Sequence, residues 1–369
     1  DVGAGAAKWC LSIIDNLPSV TASAGHSGTF VQGATSQPIT LDITNNGTGS
    51  TGDPGGSNPL TVVDTLPTGL NLASSSGTGW SCSGTTTVTC TNDSAVAQSA
   101  GYPELTLDVN VADSATPGNV NNSFSVSGGG ANSTTSNTDV INIEPAAVLA
   151  IQVTHTWTFT QGSTAEWDIT VSNTTSGGST IGTTTVSDTL PSGYTLNASS
   201  GLGWTCGGVG TVTCTSTSYV SGGSSFQTIQ LTVNVPTTSP ISVTNTASAF
   251  GGGDLTHTNL GTAVSGSDTV TVVQVPLVTL SATSLSYGSV DVGSTSSSHS
   301  VTMTNTGSAT LTISSIALTG ANASQFVFAN NCGTSLAVGA SCTIHGHFAP
   351  TATGAASAAV TITDNAADS

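Results

Sequence analysis

The sequence predicts an all-β protein built as three tandem β-sandwiches that form an elongated rod, with a short N-terminal arm in front. Three observations predict it. Val, Ile and Leu alternate with Thr, Asp and Asn at period two, as in PITLDITNNG (38–47) and AEWDITVSNTTSGG (165–178), the signature of strands buried on one face. Residues 62–91, VVDTLPTGLNLASSSGTGWSCSGTTTVTCT, return at 186–215 as VSDTLPSGYTLNASSGLGWTCGGVGTVTCT, with a constant offset of 124 and 19 of 30 positions identical, so one unit is duplicated. Pro145 and Pro276 each interrupt an apolar strand that resumes within a few residues, and a proline there leaves a short, semi-rigid joint.

In chain order the pattern gives an arm at 1–19, a first repeat at 20–145, a second at 146–275 and a third, different unit at 276–369. The arm carries Trp9, Leu11 and Ile13 at strand spacing and Cys10 with no partner in its own unit, which marks these residues as candidates for assembly. A partly helical arm through Ala7, Leu11 and Ile14 is the competing reading. In the repeats, ELTLDVNV (104–111) matches IQLTVNVP (229–236) downstream of the duplicated block. Three sandwiches end to end would span of order 100 Å.

Composition excludes whole classes of function. A single basic residue, Lys8, stands against 19 Asp and Glu, for a net charge of −18, so neither a nucleic-acid surface nor a polybasic membrane anchor can be built. No apolar stretch approaches the ~20 residues of a membrane span. The chain opens at Asp1 without a signal peptide, as expected of a mature form or a fragment. Seven cysteines fall as Cys82 with Cys90, Cys206 with Cys214, Cys332 with Cys342, and Cys10 alone. Close pairs repeated at matching sites in a Ser/Thr/Gly-rich chain read as disulfides formed in an oxidising compartment, hence a secreted or cell-surface protein.

The run of an Asn turn, V-x-DTLP-x-G and G-x-GW-x-C…TVTCT resembles the conserved-repeat Ig-like domain found in tandem in large bacterial and archaeal surface proteins, over 20–144 and 146–274. Residues 280–369, with YGSVDVG, TNTGSATLTI and GASCTI…FAPTATG, resemble a Hydin-type (ASH, choice-of-anchor) Ig-like domain that lacks its last strand. The resemblance implies Ig-like β-sandwiches and a structural role more than an activity.

No motif assembles a reaction centre. Gly47, Gly49 and Gly52 fit Gly-x-Gly-x-x-Gly, but no helix follows to present amides to a phosphate. His345 and His347 share a strand face yet lack a third ligand nearby, and His26, His155, His257 and His299 sit in no catalytic context. Asp64 and Asp188, inside DTLP, read as turn or cap residues that satisfy backbone amides, and Trp80 and Trp204 as covers over the cysteine hairpins. The expectation is no catalytic, cofactor or metal site. With no lysine in any sandwich, Lys–Asn isopeptide staples are excluded. Seven Asn-x-Ser/Thr triplets, at Asn46, Asn92, Asn121, Asn132, Asn173, Asn197 and Asn322, are acceptor sequences for glycans.

The function expected is that of an extracellular structural protein, a filament or stalk subunit on a prokaryotic surface, with copies of itself as partner. Strand donation by the arm into an incomplete third sandwich would join copies head to tail. An adhesin or carbohydrate-binding module, or the spacer of a larger secreted enzyme, are the alternatives.

Overall fold

The computed structural model describes residues 16–52 and 57–366, and its secondary structure is strands apart from one 3₁₀ turn at Ala323–Gln325. The arm residues Trp9, Cys10, Leu11 and Ile13 lie outside the described residues.

The first sandwich packs the sheet β1(Val20–His26), β3(Gln37–Asn45), β8(Leu105–Val111), β5(Leu70–Ser76) against β11(Ala131–Thr135), β10(Phe124–Gly128), β4(Leu60–Thr65), β7(Thr87–Asn92), β6(Ser81–Ser83). A third, short sheet runs β2(Phe30–Val31), β12(Asp139–Glu144), β9(Gly118–Asn122). The second sandwich repeats the plan: β13(Leu149–His155), β15(Thr164–Asn173), β20(Ile229–Asn234), β17(Thr195–Ser200) face β14(Phe159–Thr160), β22(Val264–Val273), β21(Ser242–Gly251), β16(Thr184–Thr189), β19(Thr211–Ser216), β18(Thr205–Gly208). In both, the last strand is held on two sides. β12 runs antiparallel to β9 and parallel to β2, and β22 antiparallel to β21 and parallel to β14.

The third sandwich has β23(Val278–Leu280), β24(His299–Asn305), β28(Ser341–Phe348), β26(Phe326–Asn330) in one sheet and β27(Ser335–Leu336), β25(Leu311–Thr319), β29(Ala359–Asp364) in the other. The order within each unit is that of Ig-like sandwiches in tandem, as the alternating pattern predicts.

Alternation sets the cores. In β8 the residues Leu105, Leu107, Val109 and Val111 are buried while Thr106, Asp108 and Asn110 are not, because side chains of a strand point to opposite faces. Trp167 anchors the second core, with its ring 4.6 Å from Phe159 and 5.6 Å from Tyr194. Burying an aromatic of this size removes ~200 Å² from water, of order 5 kcal/mol before entropy is counted.

A buried asparagine closes one strand in every sandwich: β3, β15 and β24. Asn45, Asn173 and Asn305 are fully inaccessible, and each Nδ2 donates to two carbonyls: Gly49 and Val96, Gly178 and Val220, Ala309 and Leu336. The Asn turn read in the sequence is therefore an internal scaffold for loops with few apolar residues of their own, since an unpaired buried carbonyl would cost ~1–3 kcal/mol.

The joints are also built to one plan. At the first, Gln32 Nε2 donates to Ala115 O at 2.6 Å while its Oε1 accepts from Ala146 N at 2.8 Å. At the second, Gln161 Nε2 donates to Ser239 O at 2.6 Å and its Oε1 accepts from Val275 N at 3.2 Å and from the Ser308 hydroxyl. Glu144 Oε2 adds bonds from Ser179 N (3.1 Å) and Oγ (3.0 Å) across the first joint. The turn of the following sandwich lies so close to the linker that a Cβ on Gly178 would stand 2.1 Å from Pro145 O, so only glycine fits there.

Candidate assembly site

The three close cysteine pairs are disulfides: Cys82–Cys90, Cys206–Cys214 and Cys332–Cys342. The first two cross-link directly opposite residues of adjacent antiparallel strands, β6 with β7 and β18 with β19. Beside them, Trp80 Nε1 donates to Pro103 O and Trp204 Nε1 to Gln227 O, both at 2.8 Å, which fastens the hairpin to the loops that lead into β8 and β20. Both indoles are half-buried against a ring, Tyr102 and Phe226.

The acids in DTLP differ from their reading as turn residues. Asp64 and Asp188 point into the core, fully buried, and their partners are side chains: Asn122 Nδ2 donates to Asp64 Oδ2 at 3.0 Å and Asn245 Nδ2 to Asp188 Oδ2 at 2.7 Å. Strand alternation, with Val62 and Val186 inward two residues earlier, carries the Asp inward too. Desolvation raises both carboxyls from 3.8 to about 6, against the lowering effect of the Asn bond. The second oxygens, Oδ1 of Asp64, Asn122, Asp188 and Asn245, have no partner among the described residues. Two acceptors left in one pocket lack a donor, and a proton on the carboxyl supplies one.

Histidines pair with acids in three places: His26 Nδ1 with Asp139 (2.8 Å), His155 Nδ1 with Asp268 (2.7 Å) and His257 Nδ1 with Asp254 (2.8 Å). The first two tie the opening strand of a sandwich to its final strand. Asp254 is lowered, its burial outweighed by bonds from His257, Leu149 N and Thr256 N. His345 is exposed and His347 half-buried on β28, and no group of three or more His, Cys, Asp or Glu suited to a metal occurs among the described residues. The amides of Gly47, Gly49 and Gly52 are taken by Ser19 O, Leu17 O and Gly129 O, so the glycine triplet presents no donors to a phosphate. Of the glycan acceptor triplets, Asn92 and Asn173 are buried and bonded inside the fold.

One cleft stands out, in the third sandwich. It measures about 950 Å³ and lies between β29 and the strand-free stretch 281–298, with Leu280, Tyr287, Val301, Phe328, Val360 and Ile362 in its walls. Here the hydrophobic core is open. The buried apolar clusters of the three sandwiches hold 25, 23 and seven residues, and Leu318, Phe326, Phe348 and Ile362, inward by alternation, remain half-buried. β29 is bonded to β25 along one edge, and no strand pairs with its other edge among the described residues. The cleft occupies the place that β12 and β22 fill in the other two sandwiches.

Residues 276–369 match the family of HYDIN/CFA65/VesB-like, Ig-like domains. That finding agrees with the resemblance carried by YGSVDVG and GASCTI. No curated protein matches the chain. Among solved structures, a three-Ig structure of titin domains (an E-to-A mutated variant) is similar at 8% identity over 90% of this chain and 88% of that one, with a TM-score of 0.27. The N-terminal domain of the Streptococcus gordonii adhesin Sgo0707 is similar at 12% identity over 64% and 61%, TM-score 0.25. Native E. coli alpha-2-macroglobulin is similar at 10% identity over 95% of this chain and 23% of that one, TM-score 0.24. At these scores the superpositions decide nothing, and the fold rests on the strand pairing above.

Proposed function

We propose that this chain is a non-enzymatic extracellular structural protein, the subunit of a surface filament or stalk on a prokaryotic cell, assembled head to tail by strand donation. The observation that carries the reading is the open cleft of the third sandwich, a slot of mixed apolar and polar lining with a strand edge along it, beside two sandwiches whose cores are filled. Joints bonded through Gln32, Glu144 and Gln161 suit a subunit that passes on tension, and three disulfides suit an oxidising environment. The reading of a non-enzyme is supported by what the titratable groups do: His26, His155 and His257 are each engaged by an acid as a structural tie. Electron microscopy of the purified full chain tests it. Ordered, unbranched filaments whose repeat matches three sandwiches are expected; a monodisperse monomer at every concentration contradicts it.

A further inference from the structure

The three sandwiches are entered by the same joint, and that identity names what fills the cleft. After each buried asparagine, the next amide donates to the residue that precedes the first strand: Asn46 N to Ser19 O (2.7 Å), Thr174 N to Val148 O (2.8 Å), Thr306 N to Leu277 O (2.8 Å). Two residues upstream, Leu17 O, Ala146 O and Val275 O accept from Thr48, Gly178 and Ser308 at 3.0, 3.1 and 2.9 Å. The close approach recurs as well, since a Cβ on Gly47 would lie 2.5 Å from Leu17 O and one on Gly307 2.5 Å from Val275 O. Leu17, Ala146 and Val275 are therefore equivalent.

Upstream of Ala146 and Val275 runs the last strand of the preceding sandwich. Three residues back stand Ile143 and Val272, each buried and paired in parallel with a phenylalanine, Phe30 or Phe159. Seven residues back stand Asp139 and Asp268, bonded to His26 and His155 on the opening strand of that same sandwich. The residues upstream of Leu17 hold the same sequence positions: Ile14 three back, Ser12 five back where the repeats bury Ile141 and Val270, and Cys10 seven back. In this chain, what stands before a joint is the final strand of the sandwich behind it.

From this we infer that residues 9–15 of a second copy fill the slot of the third sandwich, antiparallel to β29 and parallel to the stretch 284–292, with Ile14 inward at the place of Ile143 and Val272, a phase that turns Trp9, Leu11 and Ile13, the candidates read from the sequence, to the outer face. The inference rests on the head-to-tail reading and adds to it the site, the polarity and the register. Every joint along the polymer is then the same, whether it lies within a copy or between copies. The slot fits such an occupant: its walls mix apolar side chains such as Val301, Phe328 and Ile362 with polar ones such as Ser284 and Ser286, the edge of β29 offers backbone bonds, and a strand threaded between two others is held without any charge pairing, which a chain with one lysine could not supply. Counting forward, His26 and His155 correspond to Ser284, six residues after Val278 as they are after Val20 and Leu149, so Cys10 of the donor lies beside Ser284 of the acceptor.

The test uses the full chain carrying Ser284→Cys, mixed from isotopically light and heavy preparations and treated with a short bis-maleimide after mild reduction. The expected result is a ladder of covalent multimers in which position 10 of one copy is linked to position 284 of another, and amide exchange at Val360–Thr363 slowed at least about tenfold on assembly. Links within one copy, no links in assembled material, or β29 amides equally protected in the monomer overturn the assignment. A deletion of residues 1–15 separates the two ideas: filaments that persist without the arm refute this donor and leave head-to-tail assembly standing. Cross-linked closed rings in place of filaments keep the slot and refute the filament.

Discussion

Protonation of the two buried Asp–Asn pairs should make this protein more stable in mild acid than at neutral pH. Asp64 and Asp188 are raised from 3.8 to about 6, so the folded chain holds a proton that the unfolded chain has already released between those values. Stability linked to these groups is fully present below pH ~4, falls as the pH rises towards ~6 and is gone by pH 7. A shift of ~2 pH units at 1.36 kcal/mol each makes the loss ~3 kcal/mol per sandwich. Asp64→Asn and Asp188→Asn isolate the effect, because an amide both accepts from the Asn partner and donates to its orphan oxygen with no proton to lose. Urea unfolding at pH 4 and pH 7 is the assay. Each variant should gain up to ~3 kcal/mol at pH 7, gain little at pH 4 and lose most of the pH dependence of its own sandwich. A wild-type stability that is flat or rises from pH 4 to pH 7, together with variants that are destabilised at pH 7, refutes the reasoning.

Other outcomes follow from the same geometry. Cys82→Ser with Cys90→Ser, or Cys206→Ser with Cys214→Ser, should lower the unfolding free energy of its own repeat by ~2–3 kcal/mol, read by denaturant titration under non-reducing conditions. Asn173→Ala should cost ~3 kcal/mol or more, since the Gly178 and Val220 carbonyls lose their only side-chain donor in a buried place, whereas Asn197→Ala, exposed on β17, should be near neutral. Gln161→Ala should leave the melting of each sandwich nearly unchanged while broadening the distribution of inter-sandwich distances in small-angle scattering, because the side chain bridges Ser239, Val275 and Ser308.

Much of the fold was legible because period two leaves its mark on every strand: β3, β8 and β20 read directly from PITLDITN, ELTLDVNV and IQLTVN. The third unit was legible by its motifs alone, and its match over 276–369 agrees with them. What the sequence hid are pairings across long separations. Asp64 meets Asn122 58 residues on, and His26 meets Asp139 across 113, so neither lies near its partner in any local window. Their recurrence one repeat later, as Asp188 with Asn245 and His155 with Asp268, was the available signal. Asp64 was misread because Asp ahead of Pro-x-Gly has a familiar role in turns, and the inward phase of the strand overrode it. The incomplete third sandwich is legible in the sequence, but the cleft's volume, its aromatic wall of Tyr287, Phe326 and Phe348, and its bound on the far side by 284–292 come from the structure.

The measurement that bears most directly on assembly through the third sandwich is a density map of the native polymer at a resolution that traces individual strands. The account predicts a strand between β29 and residues 284–292 that continues through Pro18 into β1 of the next copy, with Asn45 Oδ1 receiving Ser19 N as it does within one chain. A slot that is empty, or filled by a strand of the same copy, would contradict it.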